Sequence, residues 1–88
     1  MAGYTKESGT PKNLTASGAV SLGPGALLGF YVNSTSSGTI VLKDGGTGGT
    51  AISGTITPAI GFHRFPAEFV TSAYATIGST IDVTFFFA

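Results

Sequence analysis

The chain has 88 residues and a mass of 8.8 kDa, enough for one domain and no second core, since domains commonly run to about 100–150 residues. Four Lys and Arg balance four Asp and Glu, so charged residues make up 9% of the chain against roughly 25% in an average soluble domain. Balanced charge with 42% hydrophobic and 11% aromatic residues excludes a disordered charged tail and a basic nucleic-acid-binding surface, and the lack of cysteine removes disulfides, thiolate metal sites and cysteine nucleophiles.

The longest apolar runs are about five residues, where a membrane helix needs about 20, so no membrane span is expected. Met1 is followed by no long apolar segment, and no export signal is expected either. A mean hydropathy of +0.39 with so few charges is unusual for a free monomer, whose surface is commonly about a quarter to a third charged. The composition therefore points to a surface partly covered by other chains.

Residues 1–13 are polar, broken by Gly3, Gly9 and Pro11, and carry Lys6, Glu7 and Lys12. They read as an extended N-terminal arm with Tyr4 as its one aromatic anchor, and residues 14–88 as the folded domain. Leu14, Ala16, Gly18, Val20 and Leu22 alternate with small or polar residues, which predicts a half-buried strand ending at the turn Gly23-Pro24-Gly25. From Ala26 to Val32 both parities are apolar, the pattern of a strand covered on two faces. The stretch Asn33 to Gly38 has no apolar residue and predicts a hairpin turn into a strand at Thr39–Lys43.

Asp44-Gly45-Gly46-Thr47-Gly48-Gly49 is a glycine-rich loop, and Ala51 to Thr57 predicts a further strand that Pro58 ends. Ala59 to Val70 mixes aromatics with the only His and Arg, is cut by Pro66, and reads as an aromatic loop. Short strand character at Ala73–Ile77 is followed by a Gly78-Ser79 turn and the clearest alternation of the chain, Ile81, Val83, Phe85 and Phe87 against Asp82, Thr84 and Phe86. No long window keeps a helical period. The expected fold is all-β: a small antiparallel β-sandwich or barrel of about six to seven short strands preceded by the arm.

Three patterns invite chemistry and fall short of it. The glycine-rich loop follows a strand, but phosphate-binding loops open into a helix, whereas another strand is expected after Gly49. His63 beside Arg64 has only Glu68 as a nearby acid, more simply a partner for Arg64, and acid-base catalysis needs a second positioned group. One His and four scattered acids do not make a metal site. Asn13-Leu14-Thr15 and Asn33-Ser34-Thr35 match the glycosylation pattern through a Ser/Thr-rich composition alone. No catalytic, cofactor-binding or metal-ligating residue is expected, and the chain is not expected to be an enzyme.

More informative is the terminal Phe85-Phe86-Phe87: with Phe85 and Phe87 inward, Phe86 must face out. Tyr31 and Leu27 pose the same question on the second strand. Large exposed apolar patches mark association surfaces, so Phe86, Tyr31, Leu27, Phe62, Arg64 and Tyr4 are the candidate interface residues. A homo-oligomer, most simply a trimer, is expected.

The run from Leu28 to Gly45 (Leu-Gly-Phe-Tyr-Val-Asn-Ser-Thr-Ser-Ser-Gly-Thr-Ile-Val-Leu-Lys-Asp-Gly), with Tyr74-Ala75-Thr76-Ile77-Gly78 and the ending Asp82-Val83-Thr84-Phe85-Phe86-Phe87, resembles small structural proteins of tailed bacteriophages. The resemblance covers roughly Leu14 to the C-terminus and lies in turn and core residues, with no catalytic signature. Phe62-His63-Arg64-Phe65-Pro66 stands where the pattern has an apolar-Pro loop, so contacts made there belong to this chain alone. The resemblance implies a virion component assembled in the host cytoplasm: a capsid decoration or cement protein contacting the major capsid protein or an adjacent virion protein across capsomers. Its alternative is a receptor- or glycan-binding module of a head fibre, neck or tail adhesin, binding through aromatics such as Tyr74, Phe62 or Tyr31. No nucleic-acid or cofactor partner is implied.

Overall fold

In a computed structural model, which describes residues 10–88, the chain is all-β and forms one antiparallel sheet. Its strands are β1 (Thr10–Leu14), β2 (Gly18–Ser21), β3 (Gly25–Asp44), β4 (Thr50–Ala51), β5 (Gly61–Phe69) and β6 (Ala73–Phe87). β3 and β6 pair along almost their whole length, from Leu27 opposite Phe87 to Asp44 opposite Ala73. β1 and β2 line the other edge of β6 one after the other, while β5 and the short β4 line the other edge of β3.

A straight strand of 20 residues would run about 66 Å at ~3.3 Å per residue, but the longest dimension of the molecule is 43 Å. The β3–β6 ribbon is therefore bent over on itself. Ser37 and Ser79 both take positive φ, 58° each, and Ser36 and Ser37 both oppose Thr80 in a bulge. Bulges sharpen bend and twist locally, and here both strands turn at the same level. The outer strand breaks there too: between β1 and β2 the Ser17 hydroxyl accepts from the Ile77 N–H (2.7 Å) and donates to the Ile77 carbonyl (3.3 Å).

Folding over brings the inward faces of the two halves into one core. Phe30, Val32, Ile81, Val83 and Phe85 come from one half and Ile40, Leu42, Ala73 and Ala75 from the other, with Val20, Leu27 and Phe69 completing the cluster. Each large side chain fully buried there contributes about 1.5–3 kcal/mol. The expected inward set Ile81, Val83 and Phe85 is fully enclosed, and Phe87 packs half-buried against it.

Several local expectations change. Asn33 to Gly38 is the corner of a continuous strand; no hairpin turn forms there. The segment expected as an aromatic loop forms β5, where Pro66 is tolerated because β5 is an edge strand with one side unpaired. The strand expected at Ala51–Thr57 reduces to β4 and a single bridge between Ile56 and Ile40. Thr10 to Asn13, counted above in the arm, lie in β1, while residues 1–9, including Tyr4, lie outside the described residues.

Candidate interaction face

Side chains alternate along a strand, so the register fixes which residues share the outer face of the first half of the sandwich. One row crosses four strands as Asn13, Thr84, Tyr31 and Phe62; the row beside it reads Pro11, Phe86, Gly29 and Arg64. Gly29 leaves a gap between Phe86 and Arg64, and Phe62 fills it. A Cβ on Gly29 would lie 2.9 Å from the tip of the Phe62 ring and 2.5 Å from the His63 carbonyl oxygen. The Phe62 ring thus lies across β3 and meets Phe86 with ring centres 6.3 Å apart at 54°, within the favourable range for tilted aromatic pairs. Phe62 remains 57% exposed and Tyr31 42%, while Phe86 is half-buried by this packing.

Next to the aromatic strip stands a polar ladder. The Asn13 amide donates to Asp82 Oδ1 (2.7 Å) and Thr84 Oγ1 (3.1 Å), and from the other side the Asn33 amide donates to the same two atoms, each at 3.2 Å. Four side chains from three adjacent strands are thereby held in fixed orientation on the surface, with Asp82 Oδ1 shared between two donors. Neither Asn13, Asn33, Asp82 nor Thr84 was singled out by the sequence as a candidate site residue, although both asparagines lie in the glycosylation-like triplets.

Of the expected interface residues, Phe86, Tyr31, Phe62 and Arg64 come together on this face. Leu27 does not: it is 2% exposed and belongs to the core. The cause is the bulge between Leu27 and Gly29, where β3 advances two residues while β6 advances one, so Leu27 faces inward and Tyr31, of the same parity, faces out. Tyr74 is half-buried on the second half of the sandwich, away from the strip.

His63 is accounted for structurally. Its ring packs 5.3 Å from Phe30, and Nε2 lies 2.8 Å from the Ala59 carbonyl oxygen, which can only accept, so Nε2 carries the proton. Arg64 and Glu68 both point outward from β5 without forming the expected ion pair. The glycine-rich loop is a turn between β3 and β4, with Gly45 and Gly46 at φ 105° and 89° and Lys43 Nζ donating to the Thr47 carbonyl (3.1 Å). Among the described residues no group of three or more His, Asp or Glu side chains is placed to hold a metal ion. Asp44 is a structural anchor: Oδ2 accepts from the Val70 N–H (2.7 Å) and Oδ1 from Thr71 (2.8 Å) and Ser72 (3.2 Å). These backbone donors, Val70 first, hold its carboxyl below the ordinary aspartate value.

No family model, curated protein or solved structure matches the chain. What the surface offers chemically is an aromatic strip bordered by a rigid polar ladder built around the Asp82 carboxylate.

Proposed function

We propose that the protein is a non-enzymatic bacteriophage virion subunit, a capsid decoration or cement protein that stabilises the head by packing against the major capsid protein or a neighbouring virion protein. The observation that carries this reading is the outer strip of Phe62, Tyr31 and Phe86, apolar surface that the chain itself leaves partly open. Exposed aromatics on a rigid sheet lose little conformational freedom on association and are enriched in protein interfaces. Support also comes from the scarcity of charge and from the resemblance of residues 28–45, 74–78 and 82–87 to small phage structural proteins. Self-association through the same face, as a trimer, belongs to this reading and suits a subunit placed where three capsomers meet.

The test is occupancy on particles assembled without the protein. Wild-type protein added back should bind at a fixed ratio to the major capsid protein, equal or one-third, and Phe62→Asp should abolish binding while remaining folded. A ratio of a few copies per particle would place the protein at the neck or tail, against the cement role.

A second reading, a glycan-binding module of a fibre or adhesin, is favoured by one arrangement: Tyr31 stands directly between Thr84 and Phe62 in the cross-strand row, beside the Asn13–Asp82–Asn33 ladder. Fixed planar polar groups next to an exposed ring suit a sugar, which stacks one face and hydrogen-bonds at its rim. Saturation-transfer NMR against neutral oligosaccharides separates the two readings: saturation that Tyr31→Ala removes supports the glycan reading, and no saturation removes it.

A further inference from the structure

Two opposite charges flank the aromatic strip, and the register places them symmetrically about Tyr31. Thr84 on β6 and Phe62 on β5 stand opposite Tyr31 on its two sides. Asp82 lies two residues along β6 from Thr84, toward the corner of the ribbon, while Arg64 lies two residues along β5 from Phe62 in the opposite direction, level with Gly29. At ~4.8 Å per strand and ~3.3 Å per residue each is about 8 Å from Tyr31, so the two are about 16 Å apart. That is too far for them to pair within one chain, and among the described residues neither has an ionic partner.

Both groups are placed to meet something outside the chain. Asp82 Oδ1 already accepts from the Asn13 and Asn33 amides, which fixes the carboxylate and leaves Oδ2 open on the surface. Arg64 is exposed, and Phe62 and Tyr31 rise between the two charges at 57% and 42% exposure. A face that is positive on one side, apolar in the middle and negative on the other is complementary to itself. Turning a second copy over about an axis that lies in the plane of the interface and passes through Tyr31 exchanges the positions of Asp82 and Arg64. The strands of the two copies then cross at about 70°, nearer the orthogonal class of sheet packing than the aligned one.

We propose that in solution the outer face is covered by a second copy of this chain, in a two-fold pair with Tyr31 at the axis and Arg64 of each copy against Asp82 of the other. The pairing rests on the reading of the outer strip as an association face. It concerns the free protein, and the three-fold grouping proposed above belongs to the particle. Each contact occurs twice, as two-fold symmetry requires, so the pair hides the aromatic strip of both copies until a virion protein displaces one of them.

Sedimentation of the full chain at low ionic strength tests the arrangement. Arg64→Glu gives each face two acidic groups and Asp82→Lys two basic ones, so each variant alone should be monomeric where the wild type pairs, and an equimolar mixture should recover a one-to-one pair. A mixture that stays monomeric, or single variants that associate as the wild type does, would overturn the two-fold pairing. Asp82→Lys removes an acceptor from two amides and can cost the fold, so neutral variants supply a second measurement. Arg64→Gln and Asp82→Asn should each weaken pairing about 2- to 30-fold, the range for two exposed ion pairs, and the double variant should pair no more weakly than either alone. Losses that multiply in the double variant would overturn the contact between the two residues. Occupancy on particles lacking the protein reports on the virion reading separately: wild type that pairs but leaves such particles bare would remove the virion role and support the pair, and wild type that decorates them but never pairs would do the reverse.

Discussion

Replacing Gly38 by Ala tests the folded-over ribbon at its corner. An added Cβ would lie 2.5 Å from the Ile81 Cβ, 2.8 Å from the Thr80 carbonyl oxygen and 2.9 Å from Thr35 Oγ1. Carbon atoms rest about 3.5–4.0 Å apart, so one of the two strands has to move by about 1 Å. Neither neighbour is a flexible tip: Ile81 is 1% exposed in the core, and the Thr80 carbonyl belongs to the paired strand. Overpacking of this kind costs about 1–3 kcal/mol. The shift also disturbs the hydrogen bond from the Gly38 N–H to Thr35 Oγ1 (3.0 Å), worth roughly 0.5–1.5 kcal/mol. The expected loss is thus about 2–4 kcal/mol, a large part of the ~4–13 kcal/mol total for a domain of this size. In urea, with m near 1 kcal/mol/M, the unfolding midpoint should fall by about 2–4 M at unchanged m. Gly48→Ala is the control: nothing lies within 4 Å of its Cβ and its φ is not positive, so its stability should stay within about 0.5 kcal/mol of wild type. A loss below about 0.5 kcal/mol for Gly38→Ala would refute the close approach of β3 and β6 at the corner.

Phe85→Ala, which empties a fully buried site beside Phe30 (ring centres 5.7 Å), should cost about 3–5 kcal/mol by chemical denaturation. Asp44 has a folded-state pKa below its unfolded value, so its contribution is fully present above the unfolded value and fades as pH falls through the folded one. Stability measured against pH should therefore drop below about pH 4, and Asp44→Asn, which turns one acceptor into a donor facing the same N–H groups, should be less stable at neutral pH and lack that part of the drop. Phe62→Asp should convert a self-associating protein into a monomer in sedimentation without changing its unfolding midpoint appreciably; a wild-type monomer at tens of micromolar would remove self-association through this face.

The alternation of Ile81, Val83 and Phe85 was legible because their neighbours on β6 are solvent-facing, so period two was clean. The corner was not. Asn33 to Ser37 are largely exposed on both faces, so nothing in their hydropathy marks a strand, and pairing to β6 alone keeps them extended. β5 was hidden for the converse reason: Phe62 faces out and Phe65 in, which blurs the period, and Pro66 reads as a break although the open edge of the sheet accepts it. Thr10 to Asn13 join the sheet through backbone pairing to Phe87 through Thr84, a partner more than 70 residues away that local composition cannot reveal.

The interaction face shows where parity stops and register begins. Parity along one strand was enough to turn Phe86 outward from Phe85, and the same rule puts Tyr31 and Asn33 on one face and Asp82, Thr84 and Phe86 on another. Parity cannot say that those faces are the same face. That depends on Tyr31 pairing with Thr84, while the place of Leu27 depends on the extra residue inserted between Leu27 and Gly29. Without that bulge, Leu27 would share the outer surface with Tyr31, as the sequence suggested, and the core would lose one of its largest enclosed side chains. One inserted residue thus fills the core with Leu27 while leaving Tyr31 beside the polar ladder, so the packing of the interior and the chemistry of the exposed strip are set by the same local irregularity.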